Sequence, residues 1–255
     1  MIKFLKNRIL NIRPVELGVL LKIILNTKRE WFQLSNFYLY IDRYNNFGNK
    51  IITNGKYELD FELFLDSTLN AESIFVDLGG NEGYYSVFAS RYISNKGMIF
   101  CIEPQERLWN VIIKNLNKNF ISNCILIKDA IDIDHKELMI SLSPDINTGS
   151  TSLKNSFRKY FWPKQMITTI TFDFFVEKYN ITKIDVLKID IEGFELNALL
   201  SAKKSLEKNL IKNIIVEIHP NQLKQLNQNE IELIDLLKFY NYNLKYIGDY
   251  LHFFI

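Results

Sequence analysis

Four short stretches hold the residues whose types and spacing could do chemistry. In I-F-V-D-L-G-G-N-E-G-Y-Y-S, residues 74–86, an apolar run reaches Asp77, and then Gly79, Gly80, Asn81 and Gly83 follow within five positions. In M-I-F-C-I-E-P the run from Met98 to Ile102 ends on Glu103. In I-D-V-L-K-I-D-I-E-G-F-E, residues 184–195, Lys188, Asp190, Glu192 and Glu195 surround a glycine, and V-E-I-H-P ends on Glu217 and His219. Carboxylates at the ends of apolar runs can hold a ligand's hydroxyl or ammonium groups, or take up a proton.

Such groups need elements to position them. The first stretch reads as a strand, a tight turn and a helix start, because Tyr85, Phe88, Ala89, Tyr92 and Ile93 follow helical spacing. Glycine suits the turn, where the chain reverses sharply and the backbone must approach a bound group. The spacing is D-x-G-G-x-x-G, not the G-x-G-x-x-G of dinucleotide sites, and no Gly-Lys-Ser or Gly-Lys-Thr follows. An acid two residues ahead of the first glycine repels pyrophosphate and suits an ammonium group. An acid at the end of the second strand, Glu103, can accept bonds from both hydroxyls of a ribose. Asp77 for an amino-acid end and Glu103 for a ribose together favour S-adenosylmethionine.

The 255 residues, 47% of them hydrophobic, are enough for one substantial core. We expect an N-terminal extension over residues 1–70 and one domain over 71–255. A net charge of +2 points to no nucleic-acid partner. Cys101 and Cys124 lack metal-ligand spacing and suit a reducing compartment. No run reads as a membrane span or a cleavable signal, so a cytoplasmic location is expected. Residues 1–30 read as two basic amphipathic helices divided near Pro14. They either pack on the core or make peripheral contact with an anionic membrane. A homo-oligomer is compatible with the sequence.

Further along, short strands are expected at 37–41 and 50–53, and a helix at 57–66, together forming a lip beside the cleft. Leu108, Ile112 and Leu116 mark a helix, residues 125–127 a third strand, and Asp129-Ala130 a turn able to read an adenine amine. An edge strand is expected at 137–142. Residues 143–169, with G-S-T-S and an aromatic stripe, read as a long loop that serves as an acceptor-binding lid. Thr171 caps a helix. Alternation then sets Ile184, Val186, Lys188 and Asp190 on one face of a strand, where Lys188 needs a partner. A fifth strand over 213–218, a last helix and a closing hairpin complete the chain.

V-D-L-G-G-N-E-G-Y-Y-S, I-E-P, the D-A after the third strand, G-S-T-S, T-F-D, L-K-I-D-I-E-G-F-E and V-E-I-H-P, in that order over residues 74–220, resemble the FkbM family of methyltransferases. The resemblance implies an α/β, Rossmann-like doubly wound sheet of about seven strands, mostly parallel, with a C-terminal antiparallel hairpin. It implies S-adenosylmethionine as cofactor and methyl transfer, commonly to a hydroxyl of a sugar or natural product. Gly80 stands where the family usually has alanine, and Glu82 occupies its variable position, placing a charge near the sulfonium or the lip. The first 70 residues match no pattern of the family.

The cofactor-binding candidates are Asp77, Gly79, Gly80, Asn81, Gly83, Glu103, Asp129 and Ala130. The catalytic candidates are Asp190 and His219 as base or acceptor orienter, with Glu192 holding Lys188 or the acceptor. The acceptor is expected to be a small molecule or a glycan. Asp173, Asp190, Glu192 and Glu217 could instead gather a divalent cation, but no spacing is specific to one, so no metal ligand is assigned. Two rivals stand beside this reading. An NAD-dependent sugar oxidoreductase requires G-x-G-x-x-G and a Tyr-x-x-x-Lys pair, and neither is in place. A non-catalytic, membrane-associated or complex-forming module predicts loss of the cofactor acids, whereas Asp77, Glu103 and Asp190 are present.

Overall fold

The strand and helix periods resolve, in a computed structural model, into the layered sheet that the alternation predicts. The structure describes residues 9–13, 15–144 and 162–255. A 3₁₀ turn at Ile9–Asn11 and a helix at Val15–Ile24 lead into a hairpin of β1 (Glu30–Leu34) and β2 (Phe37–Ile41), followed by helices Asn46–Asn54 and Leu59–Thr68. β3 (Ile74–Leu78), β4 (Met98–Ile102) and β5 (Cys124–Ile127) alternate with helices Tyr84–Ala89 and Glu106–Lys118. β6 (Ala130–Ile131), β7 (Glu137–Ser141) and β8 (Lys164–Ile170) come next, then helix Phe172–Lys178 and β9 (Val186–Ile189). Helices Glu195–Leu200 and Lys203–Glu207 precede β10 (Asn213–Glu217). Helices Pro220–Gln225 and Glu230–Phe239 then lead to β11 (Asn243–Ile247) and β12 (Tyr250–Phe254).

Seven strands form the central sheet in the order β11-β12-β10-β9-β3-β4-β5. β10, β9, β3, β4 and β5 pair in parallel, and β12 pairs antiparallel with both β10 and β11. The chain runs outward from β3 through β4 to β5 and then returns to lay β9 on the other side of β3. That reversal opens a crevice at the carboxyl ends of β3, β4 and β9, where ligands of such sheets bind.

Pleating sends alternate residues of each strand to opposite faces. Val76, Leu78, Phe100, Ile102, Leu187 and Ile189 pack under Phe172, Phe175, Leu196 and Leu199. Phe75, Ile99, Cys101, Val186 and Ile215 pack under Tyr85, Phe88 and Ile112, and under Leu39, Ile41, Ile51, Phe61 and Leu65 from the preceding chain. Each fully buried large side chain contributes about 1.5–3 kcal/mol. The N-terminal elements therefore share the core on one face of the central sheet.

Several local expectations change. Residues 50–53 are helical, not a strand: Asn45 caps the helix by accepting from Gly48 N–H at 2.6 Å, and Gly55 at φ +70° ends it. Ile51 is thereby buried one turn beyond Phe47. Residues 164–169 belong to β8, which pairs antiparallel with β7 and parallel with β6 in a separate three-stranded sheet. The G-S-T-S stretch, the aromatic stripe and most of the expected lid lie outside the described residues, as does most of the first N-terminal helix. On the second, the apolar stripe faces outward: Leu17, Leu20 and Ile24 are exposed, while Lys22 is buried and pairs with Asp42 at 2.5 Å. No helix among the described residues is long and apolar enough to cross a membrane.

Glu82 is also placed differently from expectation. Its buried carboxylate receives both terminal nitrogens of Arg29, at 2.6 and 2.9 Å, and the side-chain amide of Asn45 at 2.8 Å. It fastens the N-terminal elements to the glycine turn and carries no free charge toward the cleft.

Candidate active site

The turn after β3 depends on its glycines. Gly79 sits at φ +81°, and a Cβ there would stand 1.8 Å from the backbone oxygen of Asp190. A Cβ on Gly80 would stand 2.4 Å from Cys101 Sγ. The N–H groups of Gly79 and Gly80 both donate to Ile102 O, at 3.0 and 3.1 Å, binding the turn to β4. Asn81 follows at φ +47° and donates its N–H to Glu103 Oε2 at 2.9 Å, and Gly83 at φ +81° opens the helix.

Glu103 is almost completely buried, and its Oε1 accepts from Gln105 N–H at 2.8 Å. Burial pushes its carboxyl up to about 7, against the pull of the two backbone donors. Each oxygen accepts one backbone bond, which leaves lone pairs for a ligand's hydroxyls.

Beneath the turn, Asp77 and Lys188 form a buried pair at 3.3 Å, and Lys188 Nζ lies equally close to Asp190 Oδ2. Burial opposes the ammonium charge, but Asp190 and Asp77 hold its pKa well above the usual lysine value. Asp77 Oδ2 also accepts from Ser86 Oγ at 2.9 Å. Asp77 is thus committed within the protein and is not on the cavity wall.

The cavity at the crevice has a volume of about 220 Å³. Gly79, Asn81, Glu103, Ala130, Asp190, Glu192, Glu217 and His219 line it, so most of the expected site residues converge there. Gly80, Gly83 and Lys188 shape the turn from outside the wall. Asp129 is half-buried beyond it, and Asp132 faces the cavity instead.

At one end the titratable groups gather around His219. Its Nδ1 bonds to Glu195 Oε1 at 2.8 Å, and a carboxylate only accepts, so Nδ1 carries the hydrogen. Nε2 faces Asp190 Oδ1 at 3.8 Å, Glu192 Oε2 at 3.9 Å and Glu217 Oε1 at 3.9 Å. Burial opposes the imidazolium, yet the bond to Glu195 and the charges of Glu192 and Asp190 bring it up to about 9. Burial raises Glu192 to about 7. Glu217 reaches about 7 through burial and the nearby charge of Asp190. Glu192, at φ +54°, accepts from Gln222 Nε2 at 2.9 Å, so its partner is Gln222 and not Lys188.

Residues 77–244, about two thirds of the chain, match the model of the methyltransferase FkbM domain. The chain belongs to the FkbM methyltransferase family. S-adenosylmethionine is the methyl donor that goes with this membership. The chain is 23% identical over 187 residues to Methyltransferase 1 of Beauveria bassiana, covering 64% of this chain and 74% of that one. Among solved structures it resembles methyltransferase FkbM from Methylobacillus flagellatus KT, with 16% identity and a TM-score of 0.47, over 73% of this chain and 44% of that protein's length. It also resembles fibrillarin from Aeropyrum pernix with bound S-adenosyl-L-methionine, with 14% identity and a TM-score of 0.42, over 88% and 81% of the two chains.

The FkbM-family cavity suits a nucleoside joined to an amino acid in two respects. Gly79, packed directly against Asp190 O, brings bare backbone to the cavity wall, and Glu103 offers acceptors at the end of β4. Three lining residues escaped the sequence reading as binding groups. Tyr57 comes from a segment without a motif. Asp132 is placed by the pairing of β6 with β8, and its Oδ1 accepts from Asn197 Nδ2 at 2.8 Å. Glu217, two residues before His219 in V-E-I-H-P, was noted as an acid at the strand end and a possible cation ligand but was not among the catalytic candidates. Asp190, Glu217 and His219 each offer a ligand atom within 4.8 Å of the others, a spacing that a divalent cation could use. Asp173 is elsewhere, accepting from Lys204 N–H and Ser205 N–H.

Proposed function

We propose that this FkbM-family protein methylates a hydroxyl oxygen of a sugar, glycan or natural-product acceptor. The observation that carries this reading is the titratable set of Asp190, Glu217 and His219 at one end of the cavity that Gly79, Asn81 and Glu103 also line. Glu103 would hold the ribose hydroxyls of S-adenosylmethionine, Gly79 and Asn81 its amino-acid end, and Ala130 and Asp132 its adenine. When bound, that group would supply an electrophilic methyl, with its sulfur as the leaving group as an acceptor oxygen bonds to that methyl in line.

The protein's own work is positional and electrostatic. The glycine turn and the Asp77–Lys188 pair fix the floor of the cavity, and closely held reactants gain much of their rate from orientation. A hydroxyl must lose its proton as its oxygen attacks. Glu217, raised to about 7, takes up a proton close to neutral pH, where a general base is most effective. His219, charged below about 9 and fixed by Glu195, orients the hydroxyl beside it, and Asp190 balances Lys188.

Calorimetric titration with S-adenosylhomocysteine, on the wild type and on Glu103→Ala, tests the cofactor half of the reading. Micromolar binding, about −8 kcal/mol, that weakens in the variant supports it. Assay of labelled methyl transfer to hydroxyl-bearing acceptors tests the rest, and a product methylated on nitrogen or carbon would remove the hydroxyl reading.

A further inference from the structure

A second cavity, of about 250 Å³, adjoins the first, and the two share Tyr57 and Glu217. Their linings divide along the chain. Apart from Tyr57, the cofactor cavity is lined from within residues 77–244, the stretch that matches the family. Apart from Glu217, the second cavity is lined from outside it, by Lys50 and residues 57–61 before it and residues 247–250 after it. The stretch that matches the family and the segments on either side of it thus meet at one shared carboxylate.

The second cavity is strongly one-signed. Glu58, Asp60, Glu217 and Asp249 face it, against Lys50 alone. Lys50 is already engaged, with Nζ 3.4 Å from Glu58 Oε1 and 4.3 Å from the centre of the Tyr57 ring. The walls are fixed by hydrogen bonds. Tyr85 donates its hydroxyl to Glu58 Oε2 at 2.5 Å, and Tyr250 donates to the same oxygen. Gly248, at φ +54°, turns the β11–β12 hairpin so closely over Asp60 that a Cβ would stand 2.9 Å from its Oδ2. Carboxylates accept hydrogen bonds from hydroxyls and pair with ammonium groups, whereas a phosphate or carboxylate brought among them meets like charge.

We propose that this second cavity is the acceptor subsite, and that it takes a neutral or amine-bearing polyhydroxy ring and rejects acceptors carrying phosphate or carboxylate. The inference rests on the methyl-transfer reading and adds the acceptor's charge class to it. An acceptor seated here reaches the cofactor cavity at Glu217, the group to which its hydroxyl proton passes.

The test is amide NMR of the protein saturated with S-adenosylhomocysteine, titrated separately with methyl glucoside, glucosamine and glucose 6-phosphate at millimolar concentrations. The first two are expected to shift the amides of residues 57–61 and 247–250, and glucose 6-phosphate is expected to leave them in place. The double variant Asp60→Lys with Asp249→Lys is expected to keep its affinity for S-adenosylhomocysteine and to gain the response to glucose 6-phosphate. If the phosphate shifts those amides in the wild type as strongly as the neutral sugar, the charge class is overturned. If neither neutral nor amine probe moves them while S-adenosylhomocysteine binds, the subsite itself is overturned and the methyl-transfer reading stands. Failure of S-adenosylhomocysteine to bind overturns both.

Discussion

Asp77 and Lys188 are register partners across β3 and β9, and their charged groups stand 3.3 Å apart with 1% of either residue exposed. Central parallel strands are ordinarily apolar on both faces, so a charged pair here must be matched on the spot. Removing one member of a buried pair strands the other charge and costs about 3–5 kcal/mol. Lys188→Met is therefore expected to lower the unfolding free energy by about that amount, and Asp77→Leu with Lys188→Met to recover much of it. Urea unfolding of the two variants decides, and a loss below about 1 kcal/mol in the single variant would contradict the assigned pairing.

If Glu103 holds the ribose hydroxyls, cofactor affinity depends on pH. Its acid is raised from 4.5 to about 7 by burial in the free protein. A raised acid stabilises the fold fully below its unfolded value, and that contribution is lost as pH rises through about 7. Hydroxyl donors favour the carboxylate and pull the value back down, so binding releases a proton near neutrality. S-adenosylhomocysteine is expected to bind more tightly as pH rises from about 5 to about 8, by up to about tenfold per unit. Its heat of binding at pH 7 should differ between buffers of different ionisation enthalpy, and Glu103→Gln should remove both effects. An affinity flat over that range would exclude Glu103 as the titrating contact.

If Glu217 takes the acceptor's proton, methyl transfer should rise with pH and level off above about 7. Glu217→Gln is expected to lower kcat by about 10²–10⁴-fold with unchanged affinity for S-adenosylhomocysteine. Rates measured across pH on both proteins would show whether the rising limb belongs to this residue; an unaltered kcat in the variant rules it out.

Gly79→Ala should disturb the floor of the cavity. The added carbon meets Asp190 O, and the left-handed backbone adds strain of about 1–3 kcal/mol. A lower Tm together with cofactor affinity weakened by about tenfold or more is the expected outcome, since 1.4 kcal/mol is a factor of ten. A variant that melts and binds like the wild type would refute the close approach of β3's turn to Asp190.

The sequence was most readable where local pattern and tertiary demand coincide. The apolar runs at 74–78, 98–102 and 213–217 are strands because burial on both faces requires them to be apolar, and Gly79 marks the turn because nothing larger fits. Lys188 could be seen to need a partner, but its match with Asp77 follows from parallel pairing across more than a hundred residues. Residues 164–169 looked like loop because their strand is half polar, with its partner β7 far behind it in the chain. Asp129 was read for its place directly after the third strand, whereas the cavity is lined by the three residues that follow it, Ala130, Ile131 and Asp132, which β6 and its pairing with β8 set in place. The lip expected over residues 37–66 does bring Tyr57 to the cleft, but the second cavity was illegible because it arises from two chain segments that meet only when the sheet closes.

The bond between Glu82 and Arg29 also sets a rule for chimeras. Glu82 lies inside the stretch shared with the family, while its donors Arg29 and Asn45 lie before it. A crossover between residues 45 and 77 with a relative lacking those donors would leave the acid buried and alone, at a cost of about 3–5 kcal/mol. A crossover ahead of Arg29 keeps the trio together. The parts of this chain that would set acceptor preference are thus heritable only along with the residues that receive Glu82.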